Sequence, residues 1–258
     1  MTLKRSELPP LPGGLAGTPA DTVVYAVGDI HGRCDLLELI HEGIAQDSRQ
    51  RVARRRVLVY LGDYVSRGID SHRVVERVLQ ARPGGCEAIC LKGNHEDQLL
   101  RYLDGDLDAG RRWFDVDGLD TLAHYGVLAK LGRERDEKIM ESLRQRFARA
   151  LPQEHLEFFR RLVVSHVEGG YRFVHAGLRP GVPPTEQSAH DQMWIRKPFL
   201  DSDLDHGAVV VHGHSVSARL QLRHNRIGID TGAYASGVLT CLVLDGGTRC
   251  ALQTERDG

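Results

Sequence analysis

The chain has no long apolar run, almost no net charge and no closely paired cysteines, and each absence narrows what it can be. Although 41% of its 258 residues are hydrophobic, no stretch approaches the roughly 20 apolar residues that a membrane-crossing helix needs. A formal net charge of -1 gives no general pull toward nucleic acid. The five cysteines are odd in number and form no Cys-x-x-Cys pair. Cys86, Cys90 and Cys241 fall in or near apolar runs and read as packed, reduced thiols of a cytoplasmic protein, with thiol-linked inhibition as the alternative. Residues Met1 to Ala20 lack the apolar core of an export signal: Lys4 and Arg5 are followed by Pro9, Pro10, Pro12, Gly13 and Gly14. A mobile tail over 1–20 is expected, leaving 21–258 as a single domain. No internal repeat is present.

What the chain does have is three short polar segments, each preceded by an apolar run. Gly28-Asp29-Ile30-His31-Gly32 follows Val23–Val27, Gly62-Asp63-Tyr64-Val65-Ser66-Arg67-Gly68 follows Val57–Leu61, and Gly93-Asn94-His95-Glu96 follows Ala88–Leu91. The runs are rich in β-branched and aromatic residues and read as buried strands. Between them, Asp35 to Gln46 and Asp70 to Ala81 carry apolar residues at helical spacing, which makes the order strand, helix, strand, helix, strand. Right-handed crossovers bring the carboxyl ends of such strands to one edge. Asp29, His31, Asp63, Asn94 and His95 should therefore converge there. Carboxylate, imidazole and amide donors without thiolate suit a pair of divalent cations such as manganese, iron or zinc.

These segments resemble those of the calcineurin-like metallophosphoesterases, in the branch of the Ser/Thr protein phosphatases and the symmetrical diadenosine tetraphosphate hydrolases. Val174-His175-Ala176-Gly177 and Val209-Val210-Val211-His212-Gly213-His214-Ser215 supply two later motifs in the expected order, so the resemblance covers roughly 22 to 245. It implies an α/β fold, a four-layer sandwich of two mixed sheets flanked by helices. It implies two divalent ions, manganese first with iron or zinc as alternatives. Asp29 and His31 would hold the first ion, Asp63 both, and Asn94, His175 and His214 the second. Attack by a metal-bridging hydroxide on a phosphoprotein or small phosphate ester would follow, with Arg67 and Arg196 binding phosphate and His95 serving as general acid. His212 reads as a strand-end side chain beside the site. The position two residues after His214, where many diesterases and nucleases of the superfamily carry another histidine, is Val216.

One position departs from the pattern. In the protein phosphatases the residue before the motif arginine is usually an Asp that holds the general-acid histidine; here it is Ser66. Unless Glu96, Asp97 or another carboxylate substitutes, His95 becomes a poorer acid, which favours a substrate with a good leaving group such as a dinucleoside polyphosphate. Tyr64 and Glu96, in contrast, match the protein-phosphatase form of their motifs. The leading expectation is a Ser/Thr protein phosphatase that also accepts small phosphomonoesters. The alternatives are a symmetrical diadenosine tetraphosphate hydrolase and a non-catalytic binding scaffold.

The remaining features read as structural. The run Arg49, Arg51, Arg54, Arg55, Arg56 is expected to be solvated. Ile227 to Leu244 reads as two closing strands joined by a Gly-rich turn, with Tyr234 a candidate for lining the site. The charged stretch from Asp104 to Arg161 reads as a helical cap insertion, and its Trp113, Phe114, His124 and Tyr125 are weak candidates for substrate contact.

Overall fold

The computed structural model describes residues 1–10, 16–130, 132 and 135–255. Two mixed sheets lie face to face. The larger contains β1 (Thr2–Glu7), β2 (Thr22–Val27), β3 (Arg55–Tyr60), β4 (Glu87–Cys90), β10 (Thr240–Asp245) and β11 (Thr248–Glu255), in the order β1-β11-β10-β2-β3-β4. β2, β3 and β4 are parallel and the other pairs antiparallel. The smaller contains β5 (Ser165–Glu168), β6 (Tyr171–Val174), β7 (Val209–His212), β8 (Gln221–Leu222) and β9 (Arg226–Gly228), in the order β5-β6-β7-β9-β8. Its central strands β6, β7 and β9 are parallel.

Alternation along each strand builds the layers. In β2, Val24 and Ala26 pack between the sheets with Val57, Val59, Phe173, Val211 and Leu242. Val23, Tyr25 and Val27 point the other way, into a core shared with the helices. Those helices are α1 (Cys34–Arg49), α2 (Ser71–Gln80), α3 (Asn94–Leu103), α4 (Leu107–Phe114), α5 (Gly118–His124), α6 (Glu137–Ala150) and α7 (Gln153–Arg161). α2 starts where the Asp70 carboxylate accepts from the Arg73 N–H, 2.9 Å away, and buries Val74, Val75 and Val78. On the far side of the smaller sheet, Phe199 and Ile195, from the segment of α8 (Ala189–Trp194) and α9 (Lys197–Leu200), cover Val174 and Val210. The result is helix, sheet, sheet, helix. Each large apolar side chain removed from water here contributes on the order of 1.5–3 kcal/mol, so a charge placed at Val59, buried between the sheets, would break the fold.

Three expectations change. The amino terminus is no loose tail: Thr2–Glu7 pairs antiparallel with β11 in register Thr2↔Glu255 to Glu7↔Cys250, and the Gly170 N–H donates to the Gly17 carbonyl. Of the expected tail, residues 11–15, with Pro12, Gly13 and Gly14, lie outside the described residues. The closing strands do not form one hairpin; β9 belongs to the smaller sheet and β10 to the larger, and α10 (Ala233–Ser236) sits in the connection. The insertion from 104 to 161 supplies α4 to α7, whose Trp113, Leu122, Met140, Phe147 and Phe159 join the same core as Leu37 and Val74.

Candidate metal centre

All the parallel strands deliver polar residues to one edge. Asp29 and His31 follow β2, Asp63 follows β3, Asn94 and His95 open α3 after β4, His175 directly follows β6, His214 follows β7 and Asp230 follows β9. Aiming these side chains inward requires unusual backbone. His31, Asp63 and His214 have φ of 45°, 51° and 61°, left-handed values that cost a non-glycine residue about 1–3 kcal/mol each and cluster at functional sites. Two glycines clear room for the carboxylates. A Cβ on Gly93 would lie 2.1 Å from Asp63 Oδ1, and one on Gly213 would lie 2.0 Å from Asp29 Oδ1.

The inward atoms form a donor set with few partners of its own. Asp63 Oδ2 lies 3.5 Å from His31 Nε2, 3.4 Å from His175 Nε2 and 3.9 Å from His95 Nε2. Asn94 Oδ1 lies 3.0 Å from His175 Nε2 and 2.8 Å from His214 Nδ1. Behind the cluster, His31 Nδ1 meets the Val65 carbonyl at 2.9 Å and His175 Nδ1 the Leu61 carbonyl at 2.8 Å. Carbonyls accept from Nδ1–H, so in both rings the Nε2 lone pair faces the centre, the arrangement found behind metal-ligating histidines. His31, Asp63 and His95 form one group able to hold an ion, and Asp63, His175 and His214 a second that shares Asp63. Asp29 lies at the same edge, its carboxylate accepting from the His214 N–H at 3.0 and 3.2 Å.

Electrostatics at the edge favour cations. Burial, then repulsion from Asp230, raises Asp29 well above the usual carboxylate range. Burial also pushes Asp63 up, but His175, His95 and His31 outweigh it and hold that carboxyl well below its ordinary value. His175 loses by burial and gains more from Asp63 and Asp29, ending at about 10. Burial lowers His31 to about 4, His95 to about 3 and His214 to about 2. His31, His95 and His214 are therefore neutral donors, while His175 holds beside Asp63 and Asp29 a positive charge that a divalent ion would replace, and such a set suits two cations.

Around this centre the expected residues divide. Arg67 is half-buried and, among the described residues, makes no side-chain hydrogen bond or ion pair; its guanidinium lies over the Tyr234 ring, 4.6 Å from the centroid. Tyr234 also meets the His31 ring edge-on at 5.6 Å, so it does line the site. Arg196 is exposed and close enough to His214 to lower its pKa. His212 turns toward Phe199, ring centroids 5.1 Å apart. Glu96 is spent on the turn: its carboxylate accepts from the N–H groups of Gly93, Asp63, Tyr64 and Val65 at 2.9–3.3 Å. It therefore does not orient His95, whose Nδ1 is buried without a hydrogen-bond partner among the described residues.

Ser66 is bound to residues of α2, α4 and α5. Its Oγ accepts from Trp113 Nε1 at 3.0 Å, and its N–H donates to Thr121 Oγ1 at 2.9 Å and Ser71 Oγ at 3.2 Å. Trp113 is fully buried, Tyr125 bonds His155, and His124 accepts from the Ser71 N–H, so the insertion braces the Arg67 loop from behind. Two contributors were missed. Asp230, buried and bound to the Gly232 N–H at 2.9 Å, had as its only signal an acidic residue after an apolar run. The Trp113–Ser66 contact had none.

A two-sheet α/β sandwich with a shared carboxylate among imidazoles at its strand ends defines a metal-dependent phosphoesterase. The chain belongs to the calcineurin-like phosphoesterases, whose family model matches residues 22–230. It is 26% identical to the asymmetrical bis(5'-nucleosyl)-tetraphosphatase PrpE of Anoxybacillus flavithermus, over 84% of this chain and 88% of the relative. It is 31% identical to the symmetrical bis(5'-nucleosyl)-tetraphosphatase of Aromatoleum aromaticum, over 61% of this chain and 45% of the relative. A solved structure provisionally assigned as a diadenosine tetraphosphatase shares the fold, with a TM-score of 0.60 at 20% identity, covering 93% of this chain and 97% of that one. Among the described residues no helix is long and apolar enough to cross a membrane.

Proposed function

We propose that the chain hydrolyses phosphoanhydrides of dinucleoside polyphosphates. Asp29, His31 and Asp63 would hold one divalent ion and Asp63, Asn94, His175 and His214 the other, with manganese the first candidate and iron or zinc the alternatives. When bound, such a pair lowers the pKa of water and offsets phosphoryl charge. The chain's own residues do the rest. Arg67, committed to no carboxylate, offers a planar fork to two phosphoryl oxygens while Tyr234 supports its face. Arg196, exposed and near His214, supplies a second contact. His95 stands beside Asp63 where a leaving oxygen would depart.

The observation that carries the substrate class is the empty side of His95. With Ser66 turned to Trp113 and Glu96 held by backbone amides, the His95 Nδ1 has no hydrogen-bond partner among the described residues, and Asp63, 3.9 Å from the Nε2, favours the charged form but is outweighed by burial. An alkoxide leaving group needs a good acid; a phosphate leaving group does not. The two features that favoured a phosphoprotein substrate are accounted for otherwise. Glu96 shapes the turn, and Tyr64 is buried with its hydroxyl donating to the Leu91 carbonyl at 3.0 Å.

Parallel assays of diadenosine tetraphosphate, an aryl phosphate and a phosphopeptide, each with added manganese, test the reading. Much faster cleavage of the dinucleotide is expected; preference for the phosphopeptide would return the protein phosphatase to first place, and inertness toward all three would leave a binding scaffold. Product analysis then separates symmetrical cleavage, giving ADP alone, from asymmetrical cleavage, giving ATP and AMP.

A further inference from the structure

A second cluster of potential metal ligands lies among the helices, and it shares no residue with the centre at the sheet edge. His72 and Glu76 stand one turn apart on α2, with His72 Nδ1 3.8 Å from Glu76 Oε2. His155 reaches them from α7, its ring centroid 4.9 Å from that of His72. One ligand atom from each of the three lies within 4.8 Å of the others. We propose that His72, Glu76 and His155 form a third divalent-cation site, of zinc type, that cross-links α2 to α7.

Three observations carry this. First, the donors are of the right kind: two imidazoles and a carboxylate with an open fourth position. Second, His155 has an outer partner, since its Nδ1 and the Tyr125 hydroxyl lie 2.8 Å apart. In the tautomer whose Nδ1–H donates to that hydroxyl oxygen, the Nε2 lone pair is left for a cation. Third, the site combines rigidity with access. The His155 residue is 4% exposed, whereas the side chains of His72 and Glu76 are 33% and 47% exposed, and Glu76 makes no other ion pair among the described residues. Ligands about 2.0–2.2 Å from a tetrahedral ion stand roughly 3.3 Å apart, a gap that rotation of the exposed Glu76 side chain can close.

The place of the site gives it a consequence. Ser71, the neighbour of His72, accepts from the Ser66 N–H and donates its own N–H to His124. An ion joining α2 to α7 would therefore stiffen the first turn of the helix that supports the Arg67 loop. Binding to the folded chain alone also raises its melting temperature.

The test counts metal on the whole chain. Protein saturated with manganese and then with zinc is dialysed, and total bound metal per chain is measured by mass spectrometry for the wild type, His72→Ala and Glu76→Gln. Both substitutions are at partly exposed positions, outside the catalytic machinery. The wild type should retain one more ion per chain than either variant, and zinc should raise its melting temperature but not theirs. Diffraction at the zinc edge should place an anomalous peak between α2 and α7 in the wild type only. Equal metal counts in all three proteins, or no peak there, would overturn the proposal. Neither readout involves turnover, so the proposal stands or fails independently of the substrate assignment.

Discussion

Two clusters of charge sit at opposite edges of the larger sheet. At the start of β2, where Asp245 pairs with Val23, Tyr25, Asp47, Arg51 and Asp245 form a closed network. The Tyr25 hydroxyl donates to Asp47 at 2.8 Å, Arg51 donates to Asp47 and to Asp245, at 2.6 Å for the latter, and Arg5 approaches Asp47 at 3.5 Å. At the other edge, after the end of β2, carboxylates and imidazoles crowd together while His95 Nδ1 and His214 Nε2 find no hydrogen-bond partner among the described residues. Composition alone does not distinguish these clusters; satisfaction does. A network in which each charge meets its opposite holds the fold, whereas one that is short of hydrogen bonds and built on left-handed backbone is poised to receive a ligand.

Substitutions that cross this divide should have unlike consequences. The largest effect is expected from Asp63→Asn, which removes the one carboxylate shared by both ion-holding groups; activity should fall at least ~1,000-fold and bound metal should drop, with the circular dichroism spectrum unchanged. Next comes the phosphate clamp. Arg67→Ala should lower kcat/KM by roughly 100-fold or more with metal content intact. Tyr234→Leu should cost about tenfold through loss of the stacked ring, and Tyr234→Phe should be close to wild type. Steady-state kinetics on all three reveal whether Tyr234 acts by holding Arg67.

At the satisfied edge, Arg51→Met should cost about 1–3 kcal/mol of stability by leaving the buried Asp47 with only Tyr25 and Arg5 as partners, measured by urea unfolding, with kcat/KM retained in the folded protein. The smallest effect concerns acid. Burial pushes Asp47 up, but Arg51, Tyr25 and Arg5 together hold its carboxyl below the usual range. A depressed carboxyl contributes stability that is fully present above the unfolded value, near 3.8, and is lost as pH falls through the lower folded value. Asp47→Asn should therefore be less stable than wild type at neutral pH and lose less on acidification, as unfolding curves at both ends of that range would show.

Much of the site was legible because its strands are buried on both faces and read as continuous apolar runs, so Val23–Val27 and Val57–Leu61 announced where polar residues would be presented. What escaped depended on distant partners. Thr2–Glu7 has a polar, half-exposed pattern and becomes a strand only because the far end of the chain pairs with it. The structure of Ser66 depends on Trp113, 47 residues away, so sequence could show that an acid was missing beside His95 but not where the serine would turn. Glu96 looked like a possible substitute for that acid, and only the backbone of the Asp63 turn shows why it is committed elsewhere.

An unassisted His95 makes the proposed reaction depend on the leaving group itself. That dependence is read from kcat/KM for a series of aryl phosphates whose leaving phenols differ in pKa. A steep fall in rate with rising leaving-group pKa, converging with His95→Asn at the acidic end of the series, is the predicted result. A flat dependence in the wild type would mean that the leaving oxygen is fully protonated by the enzyme, and would rule out an unassisted His95.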